Sequence, residues 1–128
     1  MKRALFVIII IIVTITFGII ELSSVSKILT DMEYRVDSLT AEYQDNQEDI
    51  TILAENVDDF KKFWEQNENW LCYLFNHRDL STITDSINRL KANTENNDYD
   101  SAYSELALLK EYSTKSHHIM GFNIHNIL

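Results

Sequence analysis

The sequence predicts an all-α protein, in which one N-terminal transmembrane helix continues into an antiparallel bundle of about four helices. Three observations carry this prediction. The 128-residue chain has no proline and only two glycines, Gly18 and Gly121. It opens on a long uncharged apolar run. Beyond that run, apolar residues recur at steps of three and four. Strand-and-turn architectures need Gly and Pro at frequent intervals, so a chain this poor in them is built most economically from helices joined by polar loops.

The apolar run, Ala4 to Ile20, is seventeen residues without a charge. At 1.5 Å per residue it covers roughly 25 Å, slightly less than a hydrocarbon core, and snorkelling flanks close the gap. A lone span in lipid must satisfy its own backbone, which leaves helix as its only form despite the many isoleucines. Lys2 and Arg3 precede the run and Glu21 follows it. The positive-inside rule then predicts a single-pass cell-membrane protein with a cytoplasmic N-terminus. The expected division is 1–21, a cytoplasmic stub and anchor, and 22–128, an extracytoplasmic domain. A cleaved signal peptide is the rival reading, but its apolar region would be long and no A-x-A site follows it.

Charge narrows the partners. Removing Lys2 and Arg3 with the first twenty residues leaves nine Lys/Arg against twenty Asp/Glu, a net of −11 for the remainder. Nucleic-acid binding depends on neutralising phosphates, so it is excluded. The same charge disfavours lying flat on anionic lipid and keeps the domain soluble. The single cysteine, Cys72, forms no intrachain disulfide. A small apolar packing role or a bond to another chain remains for it.

The first bundle helix is expected to run from the membrane to about Tyr43, with Leu22, Val25, Leu29, Met32, Val36, Leu39 and Tyr43 along one face. Six polar residues follow, Gln44 to Asp49, and the same register resumes at Ile50, Leu53, Val57, Phe60 and Trp64. Two structures fit: a turn near Asp45–Asp49 that folds the second helix back, or one continuous coiled-coil stalk. The turn is favoured, with Asp45, Asn46 or Asp49 as the cap.

The second helix carries Phe60, Phe63, Trp64, Trp70, Tyr73 and Phe75. These rings are read as core, or alternatively as an aromatic-lined ligand cleft. A loop is expected at Asn76–Asp79, with Ser81 or Thr82 capping a third helix whose stripe is Leu80, Ile83, Ile87 and Leu90. Asn93–Asp98 is the expected turn into a fourth helix, capped by Asn97 or Asp98, with Tyr99, Ala102, Tyr103, Leu106, Leu109 and Tyr112 inward. His117 to Gly121 is expected to break that helix, Gly121 serving as C-terminal cap. The apolar end, Phe122, Ile124, Ile127 and Leu128, is expected to dock on the bundle or on a partner.

From Phe63 onward the chain resembles a family of small single-pass bacterial proteins known as a domain of unknown function, number 4363. The resemblance rests on Trp64, Trp70, Leu74, His77, Asp79 and Leu80, then Ile83, Ile87, Arg89 and Leu90. Asn97-Asp98-Tyr99, Ala102, Leu106 and the closing Asn126-Ile127-Leu128 continue it. Family members more often carry glutamate where Asp79 stands, and an aromatic where Ile50 stands. The resemblance implies a small, helical, membrane-tethered protein and brings with it no activity, cofactor or catalytic residue.

Chemistry-bearing residues are sparse. His77, Arg78 and Asp79 stand together, and a His–Asp pair can serve acid–base chemistry; capping and backbone hydrogen bonding explain it equally. Arg89 is expected to pair with Asp85 or with a carboxylate on a neighbouring helix. His117, His118 and His125 could approach a transition metal, but no Cys or carboxylate stands at zinc-like spacing beside them. There is no phosphate loop, G-x-S-x-G, H-E-x-x-H or calcium loop. No cofactor, no metal and no enzymatic activity are expected. The expected partners are the bilayer, through residues 4–20, and a membrane or envelope protein or a second copy. The expected function is an interaction or structural module, the alternative a small-ligand sensing bundle that signals through a membrane partner. The candidate interaction or packing residues are Trp64, Trp70, His77, Asp79, Arg89, Phe122, Ile124, Ile127 and Leu128.

Overall fold

A computed structural model of the chain describes residues 2–45 and 50–125, with side chains over 3–45 and 51–115. Four helices account for most of the described residues: α1 (Lys2–Asp45), α2 (Ile50–Leu71), α3 (His77–Glu95) and α4 (Tyr99–His125). The protein is all-helical.

The first helix has two unlike halves. From Leu5 to Ile20 its large apolar side chains are exposed on every side, between 49% and 65% of their surface. The hydroxyls of Thr14 and Thr16 donate to the carbonyls of Ile10 and Ile12, at 2.9 and 2.8 Å. This stretch therefore presents no free donor to an apolar surrounding. From Val25 onward one stripe is buried, comprising Val25, Leu29, Met32, Val36, Leu39 and Tyr43.

The chain takes the hairpin rather than the stalk, because α2 folds back along α1. Asn56 donates to Glu42 at 2.7 Å, and the Arg35 guanidinium lies 4.5 Å above the Phe63 ring. Partners move down one helix as they move up the other, so the pair is antiparallel. Residues 46–49, on which the expected caps fall, lie outside the described residues. Each helix packs on two neighbours, α1 on α2 and α4, and α3 on α2 and α4, with none of the described residues bringing the diagonal backbones together. This is an up-and-down four-helix bundle.

Its core takes one stripe from each helix. Leu53, Val57, Phe60, Trp64 and Leu71 come from α2. Leu80, Ile83, Ile87 and Leu90 come from α3, and Ala102, Leu106 and Leu109 from α4. Leu22, expected in the stripe, is 38% exposed, and Tyr103 is 45% exposed. Leu22 sits where the bundle has not yet closed around α1. Tyr103 occupies the flank of α4, where its hydroxyl receives the Gln44 amide at 3.3 Å.

The turns follow from capping chemistry. Asn97 stands at φ 60°, the left-handed region, without glycine. The Asp98 amide reaches Asn93 at 2.9 Å and the Asn97 amide reaches Thr94 at 3.2 Å. That pair of bonds is a Schellman motif with asparagine in the glycine position. Asp98 then caps α4, accepting from the Ser101 amide at 3.2 Å.

Two expected boundaries are corrected. The third helix begins at His77 rather than at Ser81 or Thr82, because Asn76 is its cap and accepts from the Arg78 amide at 3.0 Å. His77, Arg78 and Asp79 are thus the first helical turn, where the Asp79 carboxylate suits the helix dipole. The fourth helix does not break at His117–Gly121 but continues to His125. One glycine costs a helix about 1 kcal/mol, which intact turns on either side absorb.

Candidate functional site

The buried polar side chains among the described residues of the bundle are engaged. Trp64, 1% exposed, donates its indole N–H to Thr84 at 2.8 Å. Thr84 in turn donates to Glu68 at 2.7 Å. Across the diagonal, the Tyr43 and Thr94 hydroxyls meet at 2.6 Å, and Thr94 also donates to the Leu90 carbonyl at 2.8 Å. Burial pushes the Tyr43 phenol above its ordinary value. No buried side-chain N or O atom among the described residues lacks a partner.

Arg89 does not take its partner from its own helix. It grips Glu105 of α4 through two bonds, Nε to Oε1 at 2.7 Å and a terminal nitrogen to Oε2 at 3.2 Å. The fully buried Ser86 hydroxyl adds a third, donating to Oε2 at 2.6 Å. Burial acts to raise the Glu105 carboxyl, but Arg89 and Ser86 outweigh it and hold the group below the usual glutamate range. A general base needs a free lone pair and a pKa near the working pH. Glu105 is held below that range and tied to Arg89 and Ser86, so this constellation is a lock between α3 and α4.

Similar locks join the other helices. Lys110 of α4 lies between Glu33 and Asp37 of α1, at 3.1 and 2.6 Å. Lys91 of α3 pairs with Asp58 of α2, which holds the Asp58 carboxyl low and the Lys91 ammonium high. These two cations bridge the acidic surface at the α1–α4 and α2–α3 seams.

The sequence-predicted residues do not converge. Trp64 is core. Trp70 is 42% exposed because it stands beside the buried stripe, which steps from Trp64 to Leu71, and Tyr73 is 82% exposed beyond the end of α2 at Leu71. Their rings meet edge to face, centroids 6.1 Å apart. His77 and Asp79 are exposed, and neither side chain bonds to a described residue. Phe122 and Ile124 fall on the last turns of α4, where side chains are not described. Ile127 and Leu128 lie outside the described residues. Cys72 is half-buried against the core as a small apolar group.

The aromatic-lined cleft is not formed from Trp64, Trp70 and Tyr73 together. Trp64 borders a cavity of about 80 Å³ with Leu29, Leu71, Phe75, Ile83 and Tyr112, and with Asp79 and Lys115 at its mouth. Trp70, Tyr73 and Leu74 border a separate recess of about 240 Å³ with Glu21. A third, polar groove of about 390 Å³ runs along the α1–α2 seam beside Tyr34, Arg35, Glu42 and Asn56. Sequence reasoning did not anticipate this groove, although the exposed Tyr34 opposite the buried stripe is its visible sign. Among the described residues, no three His, Cys, Asp or Glu side chains gather as a metal site would require.

Fold and surface together define a class: a small up-and-down helical bundle carried on a long helix that is apolar enough to cross a membrane. The chain belongs to the family described as domain of unknown function DUF4363, whose model matches residues 19–127. That match begins where the apolar run ends and covers the whole bundle. No curated protein and no solved structure matches the chain.

Proposed function

We propose that this protein is a membrane-anchored interaction module. Residues 4–20 cross the cell membrane, the N-terminus is cytoplasmic, and the acidic bundle stands outside the cytoplasm. There it binds a membrane or envelope protein, or a second copy of itself, and serves as an accessory rather than an enzyme.

One observation carries the reading. The Leu5–Ile20 half of α1 is apolar and exposed all round, yet it continues without a break into a bundle with a finished core. A helix apolar on every face requires either a protein core or lipid around it, and the described residues supply no core. Lys2 and Arg3 directly before the span support the orientation. Anchoring confines the bundle to two dimensions, where weak contacts suffice because effective concentration is high. The engaged carboxylates and the scattered histidine and aspartate side chains favour binding over chemistry.

In-cell crosslinking of the full chain in its native membrane, with capture and mass spectrometry, tests the proposal. A dominant membrane or envelope partner, or a clear self-crosslink, is expected. A chain recovered only as an uncrosslinked monomer across several crosslinker lengths contradicts it.

A further inference from the structure

The two ends of the bundle carry opposite kinds of turn. At the far end α3 passes into α4 through Asn96, Asn97 and Asp98, all exposed and polar. At the end where α1 enters the bundle, α2 passes into α3 through Cys72, Tyr73, Leu74 and Phe75. Turns that face water are built from polar residues and glycine. This one exposes Tyr73 over 82% of its surface, Leu74 over 51% and the neighbouring Trp70 over 42%. Among the described residues, nothing in the bundle covers them.

Their position gives the reason. Trp70, Tyr73 and Leu74 share one recess with Glu21, the first charged residue after the apolar run. The helix is continuous through Glu21, so the depth of this recess is fixed relative to the span. Ile20, the last residue of the run, is one helical step of about 1.5 Å away. The three side chains therefore stand at the level where a bilayer containing residues 4–20 would end. Trp and Tyr favour that level, because their rings are apolar while their N–H and O–H reach water and headgroups. Exposed Arg78, in the first turn of α3, adds a cation at this end of the bundle next to the acidic Asp79.

We infer that the α2–α3 turn is a second membrane contact, with Trp70, Tyr73 and Leu74 seated in the headgroup layer of the same bilayer that α1 crosses. The occupant of the exposed apolar patch is lipid rather than protein. Two contacts hold the bundle at one tilt and one rotation about α1, so a fixed face meets partners in the membrane plane. This inference rests on the reading of α1 as a membrane span.

The full-length chain in phosphatidylcholine vesicles, with no other protein, provides the test. Flotation after alkaline carbonate first reports whether the chain is inserted. Tryptophan emission is then read with lipids brominated near the top of the acyl chains, for the natural sequence and for Trp70→Phe, the difference isolating Trp70 from the buried Trp64. The expected result is insertion, with at least about half of the Trp70 emission lost to shallow bromines, as for an interfacial ring. A Tyr73→Ser, Leu74→Ser double variant should still float, with its Trp70 emission shifted to the red. Insertion with Trp70 quenched by aqueous iodide and untouched by brominated lipid overturns the second contact and leaves the anchor standing. A chain that does not float overturns both.

Discussion

The two halves of α1 are one helix under two different rules. Between Leu5 and Ile20 large apolar side chains point in every direction, while between Val25 and Tyr43 they keep to one stripe and the other faces are polar. No proline, turn or change of helix type separates the halves. Local helix propensity therefore does not tell them apart, and the Ile- and Val-rich first half is the poorer helix former in water. The arrangement of apolar residues differs, and that arrangement states what surrounds each half: something apolar on all sides for the first, the bundle core on one side and water on the other for the second.

The comparison can be broken most severely in the first half. Ile9→Lys with Ile12→Lys should cost insertion about 5–7 kcal/mol, as two charges near the centre of a span. The measurement is the carbonate-resistant fraction, which should collapse while the helical signal of the bundle in detergent stays intact. In the bundle that the second half of α1 helps to build, the largest effect is expected at Trp64 of α2, buried against α1 and α3. Trp64→Ala should destabilise the bundle by about 3–5 kcal/mol in denaturant titrations, with insertion unchanged.

Smaller effects sharpen the account of the bundle seams. Arg89→Gln leaves the largely buried Glu105 with Ser86 as its remaining partner and should cost about 2 kcal/mol at neutral pH. The pH dependence has a definite sign. The folded-state pKa of Glu105 is depressed, so its stabilising contribution is complete above the ordinary glutamate value near 4.5 and is lost as pH falls through the lower folded value. In Arg89→Gln that depression shrinks, so the acid-unfolding midpoint followed by circular dichroism should move to higher pH. The smallest effect lies in the α3–α4 turn. Asn97→Ala should cost about 1 kcal/mol because alanine resists positive φ, whereas Asn97→Gly should be neutral or slightly stabilising.

Most of this architecture is legible in the sequence, and the misses have physical causes. Steps of three and four name the buried stripes on all four helices, because burial selects side chains with the period of the helix. The α3–α4 turn is readable because Asn97 and Asp98 are the residue types that a left-handed cap and a helix start require. The start of α3 is not readable from hydrophobicity, since its first turn projects beyond the core and His77-Arg78-Asp79 looks like loop. Asn76 was the available signal, and Ser81 and Thr82 competed with it. Gly121 suggests a stop that the longer α4 does not obey. Trp70 and Tyr73 fall outside the core for different reasons: the seven-residue step from Trp64 lands on Leu71 rather than Trp70, and Tyr73 lies beyond the end of α2, where periodicity loses its meaning. The Arg89–Glu105–Ser86 lock is half visible: Arg89 announces a need for a carboxylate, but only the helix packing chooses Glu105 over Asp85.

The most direct test of one helix serving two surroundings is cysteine labelling in intact cells with a membrane-impermeant maleimide, in a Cys72→Ala background. Ser38→Cys, on the exposed face of the bundle half, should label from outside the cell, and Ile11→Cys should stay unlabelled even after the membrane is made permeable. Labelling of Ser38→Cys only after permeabilisation, or of Ile11→Cys as readily as Ser38→Cys, would contradict the account.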